Sequence, residues 1–140
     1  MYDITLTLDL EPASSYPTED RVRELIERIL ESEERSCSDI NIVLAPHETV
    51  LDLNRSWLKH DYHTDVLSFL LESDPIEGEV YIDVETAAER HQEFGSSLTA
   101  EIERYIVHGV LHLCGYDDST DAQREEMSRL ENRYLNEEEA

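Results

Sequence analysis

The chain has 140 residues, the size of one ordinary domain, and no stretch approaches the ~20 apolar residues of a membrane-spanning helix. Asp and Glu number 34 against 11 Lys and Arg, a formal net charge of −23 at pH 7, and the one lysine is Lys59. That balance argues against the basic face of an ordinary nucleic-acid binder; with lysine nearly absent it suits a protein kept in concentrated salt, where the screening length falls to about 3 Å.

The first residues, MYDITLTLDL, alternate apolar and polar side chains and predict a strand over residues 2–10. They lack the basic start and apolar block of a secretion signal, so the cytoplasm is the expected compartment. Pro12 to Pro17 reads as a loop. Thr18, Glu19 and Asp20 then open a helix whose Val22, Leu25, Ile26, Ile29 and Leu30 recur at helical spacing. Residues 39–45 predict a second strand, and Pro46 opens a short helix with Val50, Leu51 and Leu53. Thr64 to Leu71 and Gly78 to Asp83 read as strands on either side of a turn at Ser73 to Pro75. Thr86 to Phe94 is helical, with Gly95 as its stop. Thr99 is placed to cap a long helix carrying Ile102, Tyr105, Ile106 and Leu113, which Gly115 ends. Ser119 to Leu135 predicts a last amphipathic helix. Cys37 and Cys114 suit neither a disulfide framework nor a four-thiolate zinc site, and read as free, largely buried thiols. The sum is an α+β (α/β-like) fold: a small mixed sheet of about four strands packed with about five helices, residues 1–140 forming one domain.

The chemistry-bearing segment runs from His108 to Asp118. His108 and His112 stand four apart on a predicted helix, so both imidazoles share one face, about 5–6 Å apart at Cβ. Gly115 is free to take a left-handed conformation and bring a third ligand back over the helix end. Asp118 is the candidate, with Asp117 and Asp121 as rivals. The competing structural interpretation is a buried helix with hydrogen-bonded histidines and with Asp118 or Ser119 capping the next helix. The zinc-protease motif needs Glu after the first His as general base; here that position is Gly109, which disfavours a peptidase of that type.

Three blocks then carry a resemblance. His108 to Asp117 matches His-Gly-x-x-His-Leu-x-Gly-Tyr-Asp. Leu53-Asn54, Trp57, Asp61 and Thr64-Asp65-Val66-Leu67-Ser68-Phe69 match a second block, and Gly78-Glu79-Val80-Tyr81-Ile82 a third. In this order they resemble the YbeY family of bacterial endoribonucleases. The resemblance implies a single-strand-specific endoribonuclease acting in ribosomal RNA processing, chiefly at the 3′ end of the small-subunit RNA, and in ribosome quality control. It implies one zinc ion held by the helix-turn motif, and association with the small ribosomal subunit or a ribosomal protein. Two departures stand out: the family's third histidine is Asp118, and Leu58 occupies a position where many members carry an arginine implicated in activity. A His-His-Asp site with an open fourth position remains reasonable zinc chemistry.

Arg55 and Lys59 are the candidates to supply the missing positive charge, and His60 and His63 are candidate acids, bases or RNA contacts. Trp57 and Tyr116 could stack a base or simply pack. Ser68 is expected beside the metal, Asp65 in a local turn and Cys114 in the core. The alternatives to a nuclease are a ribosome assembly or maturation factor with a mainly structural zinc, and another metal enzyme such as a two-His-one-carboxylate iron protein.

Overall fold

A computed structural model describes residues 3–57, 65–93 and 97–136. Within them the chain runs β1 (Ile4–Leu8), α1 (Glu19–Ser32), β2 (Cys37–Ala45), α2 (His47–Trp57), β3 (Val66–Ser73), β4 (Ile76–Asp83), α3 (Val84–Glu93), α4 (Leu98–Leu113) and α5 (Asp121–Leu135). This is the α+β order the sequence predicts. Among the described residues no helix is long and apolar enough to cross a membrane.

The four strands form one mixed sheet in the order β1-β2-β4-β3. β1, β2 and β4 are parallel, and β3 runs antiparallel to β4. The register aligns Ile42, Val80 and Ser68 across β2, β4 and β3. On this face lies the main core, built from Ile4, Ile40, Ile42, Val80 and Ile82 with the apolar stripes of α1, α4 and α5. On the other face Val43, Ala45 and Leu67 meet Val50 of α2 in a smaller core. Because both faces of β2 are covered, its second half is a continuous apolar run instead of an alternating one.

Helix α4 is the element that carries the site. Ile102, Ile106, Val110 and Leu111 on it are completely buried. Burying each such side chain stabilises by about 1.5–3 kcal/mol, which anchors a helix that also presents two part-exposed imidazoles. The helix approaches the sheet closely at Gly109. A Cβ there would sit 2.4 Å from Val80 Cγ1 and 3.1 Å from Val66 Cγ1, while Ser68 Oγ donates to the Gly109 carbonyl at 3.0 Å. The position that carries the general base in zinc proteases is here a packing contact.

Two expected caps are corrected. Ser97, not Thr99, caps α4, accepting from Ala100 N at 3.1 Å; the Thr99 hydroxyl donates instead to the Ser15 carbonyl. Both residues suit an N-cap, and the tie to Ser15 draws Thr99 away. Likewise Thr120, not Asp118 or Ser119, caps α5, in a capping box with Gln123. That leaves the Asp118 side chain free of any capping duty. The strands are shifted slightly from expectation, β3 reaching Ser73 and β4 starting at Ile76 across the Asp74–Pro75 turn. Phe94 and Gly95, the expected end of α3, lie outside the described residues.

Candidate metal centre

The last turn of α4 and the chain just beyond it build the site. His108 and His112 project from one face, their ring centroids 4.7 Å apart. Gly115 follows with φ 106°, a left-handed conformation that L side chains rarely adopt. The turn brings Asp118 back over the helix end. The result is a triangle: His108 Nε2 to His112 Nε2 is 3.1 Å, His108 Nε2 to Asp118 Oδ2 3.3 Å, and His112 Nε2 to Asp118 Oδ2 3.5 Å. It is the one group of three or more His, Cys, Asp or Glu among the described residues whose donor atoms come together in this way. The rivals are elsewhere. Asp117 is exposed and accepts from Asp118 N at 2.8 Å and from Ser119 Oγ; Asp121 is exposed and pairs with Arg124.

The other ring nitrogens fix the tautomers. His112 Nδ1 lies 3.0 Å from the Tyr116 carbonyl, which can only accept, so that nitrogen carries the hydrogen. His108 Nδ1 lies 2.7 Å from Glu131 Oε2, and the same assignment follows for a carboxylate acceptor. With both Nδ1 atoms donating, the two Nε2 lone pairs and a carboxylate oxygen converge on one point. Three acceptors facing each other repel unless a cation or a proton stands between them. Ligand bonds of about 2.0–2.1 Å in tetrahedral geometry place donor atoms about 3.3 Å apart, which the three separations match. The residues therefore fit a divalent metal.

Behind His108 lies a partner that sequence reasoning missed. Glu131 of α5 is 7% exposed, and its second carboxylate oxygen accepts from Arg104 Nη1 at 3.1 Å. Arg104 Nη2 also donates to Asn132 Oδ1 at 2.9 Å. Carboxylate–histidine pairs of this kind orient the ring and raise its basicity. Desolvation lowers the His108 pKa, but the hydrogen bond and charge of Glu131, joined by Asp118, outweigh it and leave the pKa raised. A signal was present: Met127, Leu130, Glu131 and Tyr134 form the buried stripe of α5, and an acid in such a stripe needs a partner.

A groove of about 790 Å³ opens beside the triangle, lined by His108 and Asp118 together with Asp65, Arg90, Glu101, Arg104 and Tyr105. Asp65 is thus more than a turn residue: it pairs with Arg90 Nη1 at 3.0 Å. Arg55 sits exposed in the last turn of α2 and does not line this groove. Leu58, Lys59, His60 and His63, and the side chain of Trp57, lie outside the described residues. Tyr116 is part-buried and donates to Glu33 at 2.6 Å. Cys37 and Cys114 are free thiols, the first buried and the second part-buried against the core. Burial raises the Cys114 pKa to about 11, which keeps it a thiol.

The family described as Endoribonuclease YbeY matches the chain over residues 10–139. An Endoribonuclease YbeY of Salinibacter ruber is 47% identical over 125 residues, covering 82% of this chain and 80% of its own. One of Chloroherpeton thalassium is 41% identical over 118 residues, 84% of either chain. The solution structure of TM1509 from Thermotoga maritima superposes with a TM-score of 0.67 at 29% identity, covering 98% of this chain and 88% of that one.

Proposed function

Because the chain belongs to the Endoribonuclease YbeY family, we propose that it is a metal-dependent endoribonuclease that cuts single-stranded RNA. The observation that carries this proposal is the convergence of His108 Nε2, His112 Nε2 and Asp118 Oδ2 at the edge of an open groove. Structural zinc sites are normally closed by four protein ligands. Among the described residues three donors meet, and space for a substrate adjoins them. The biological setting we propose is ribosomal RNA processing at the 3′ end of the small-subunit RNA and ribosome quality control, in the cytoplasm, with the small ribosomal subunit or one of its proteins as partner.

In this mechanism His108, His112 and Asp118 would hold one zinc ion. Such an ion supplies Lewis-acid polarisation of a phosphoryl oxygen and a water of lowered pKa. Glu131 and the Tyr116 carbonyl keep both imidazoles in the ligating tautomer. Asp118 would add a negative charge and a harder oxygen donor where the family has a third neutral imidazole, which would widen metal choice toward manganese or iron. Arg55 and Lys59 are proposed to contact the RNA phosphates, and His63 to contact RNA or transfer a proton.

The test compares the wild-type protein with His112→Ala, both checked for folding by circular dichroism. Cutting of a single-stranded RNA by the wild type alone, abolished by chelation and restored by zinc, is the expected result. Equal cutting by both proteins would point to a contaminating nuclease and reject the assignment. Metal analysis after purification separates zinc from iron.

A further inference from the structure

The groove beside the metal centre has a lopsided charge. Asp65, Glu101, Glu103, Asp118 and Glu131 line it, and among the described residues only Arg90 and Arg104 oppose them. A phosphodiester entering such a space is repelled unless a guanidinium meets it. The two arginines are not equally placed to do so. Arg104 is paired to Glu131, whose side chain is only 9% exposed and which also holds His108. Drawing Arg104 away would strand a buried carboxylate. Arg90 is 42% exposed and is paired to Asp65, itself 24% exposed. Ion pairs with that much access to water are weak and exchange partners readily.

Beneath this pair lies Tyr105, which is 9% exposed. Its hydroxyl is shielded from solvent and makes no hydrogen bond of ordinary geometry among the described residues, although the Asp65 carboxylate lies near enough to act on it. The phenol pKa is raised by burial first, and next by the charge of the Asp65 carboxylate close by. A buried donor without a well-formed hydrogen bond is costly, and the nearby Asp65 carboxylate, now drawn toward Arg90, has lone pairs to spare for it.

We infer that Arg90 is the phosphate-binding residue of this groove, its guanidinium passing from Asp65 to a backbone phosphate of single-stranded RNA while the Tyr105 hydroxyl takes over as donor to Asp65. No covalent bond changes; the exchange swaps one ion pair for another and gives the hydroxyl a well-formed hydrogen bond. The inference rests on the nuclease proposal and gives its substrate a point of attachment away from the metal ligands.

The experiment measures cleavage of a fluorogenic single-stranded RNA by the zinc-loaded protein over a series of salt concentrations in which every variant is folded. Arg90→Gln is expected to raise KM several-fold and to reduce the slope of log(1/KM) against log salt by about 0.7, the share of one phosphate contact on a single strand. Its zinc affinity, read by chelator competition, is expected to equal the wild type's. Asp65→Asn, which removes the charge of the carboxylate that Arg90 Nη1 contacts, is expected to lower KM. A wild-type slope for Arg90→Gln, or an unchanged or raised KM for Asp65→Asn, overturns the inference while leaving the nuclease proposal intact. A wild type that does not cut RNA at all overturns both.

Discussion

Replacing Glu131 by Gln isolates the contribution of the carboxylate behind the metal ligand. The substitution keeps the volume of a side chain that is 7% exposed and keeps an oxygen able to accept from His108 Nδ1. It removes the charge from a short contact of 2.7 Å and from the contact to Arg104 at 3.1 Å. Arg104 is 38% exposed and regains hydration, so its own loss is small. The loss falls on His108, which becomes a weaker base and less firmly oriented. Outer carboxylates of this type are worth about 10–100-fold in metal affinity, and at about 1.4 kcal/mol per decade that is about 1.4–2.8 kcal/mol. Glu131→Gln should therefore weaken zinc binding by about 10–100-fold, measured by competition with a chromophoric chelator, while the circular dichroism spectrum is unchanged. Arg104→Gln, which loosens Glu131 without touching His108 directly, should show a smaller loss in the same direction. A Glu131→Gln protein that binds zinc as tightly as the wild type would refute the role given to this pair.

Three further outcomes are expected. Gly109→Ala drives a methyl to 2.4 Å from Val80 Cγ1, so urea unfolding should show a loss of about 1–3 kcal/mol despite the better helix propensity of alanine; an unchanged midpoint would show that α4 can lift off the sheet without cost. His47 Nδ1 sits 2.7 Å from Asp83 Oδ2, and Asp83 is fully buried and caps α3 through Thr86 N. The hydrogen bond to Asp83 raises the His47 pKa. Its stabilisation is then complete below the unfolded value of about 6.5 and lost as pH rises through the raised folded value. The stability gap between wild type and His47→Gln should shrink across that window, and a gap independent of pH would reject the linkage. Finally, a net charge of −23 predicts loss of structure at low ionic strength and recovery in molar potassium chloride; equal thermal stability in both would remove the case for salt adaptation.

Much of the fold follows from short-range pattern. The stripe Val22, Leu25, Ile26, Ile29 and Leu30 predicted α1, and all five residues are buried. The i, i+4 spacing of His108 and His112 and the glycine at 115 predicted a metal-binding helix end, because 3.6-residue periodicity and a left-handed turn are local properties of the chain. The choice among Asp117, Asp118 and Asp121 was not local. It depended on where the turn after Gly115 aims each side chain and on Thr120 taking the cap of α5. Thr99 was expected to cap α4; the structure gives that place to Ser97 and has the Thr99 hydroxyl donate to the carbonyl of Ser15, far away in sequence.

Most of the groove belongs to the tertiary structure. Arg90, Arg104, Tyr105 and Glu131 come from three helices; Arg104 shares the i, i+4 face of His108, but nothing in the sequence says that Arg90 and Glu131 will meet that face. Periodicity tells which face of a helix is turned inward; it does not tell which other helix that face will meet. Composition and spacing thus determined the elements and the pair of imidazoles. Packing α4 against the sheet and α5 against α4 decided the third ligand, the carboxylate behind the first, and the charged groove beside them, because those contacts exist only once sequence-distant surfaces are pressed together.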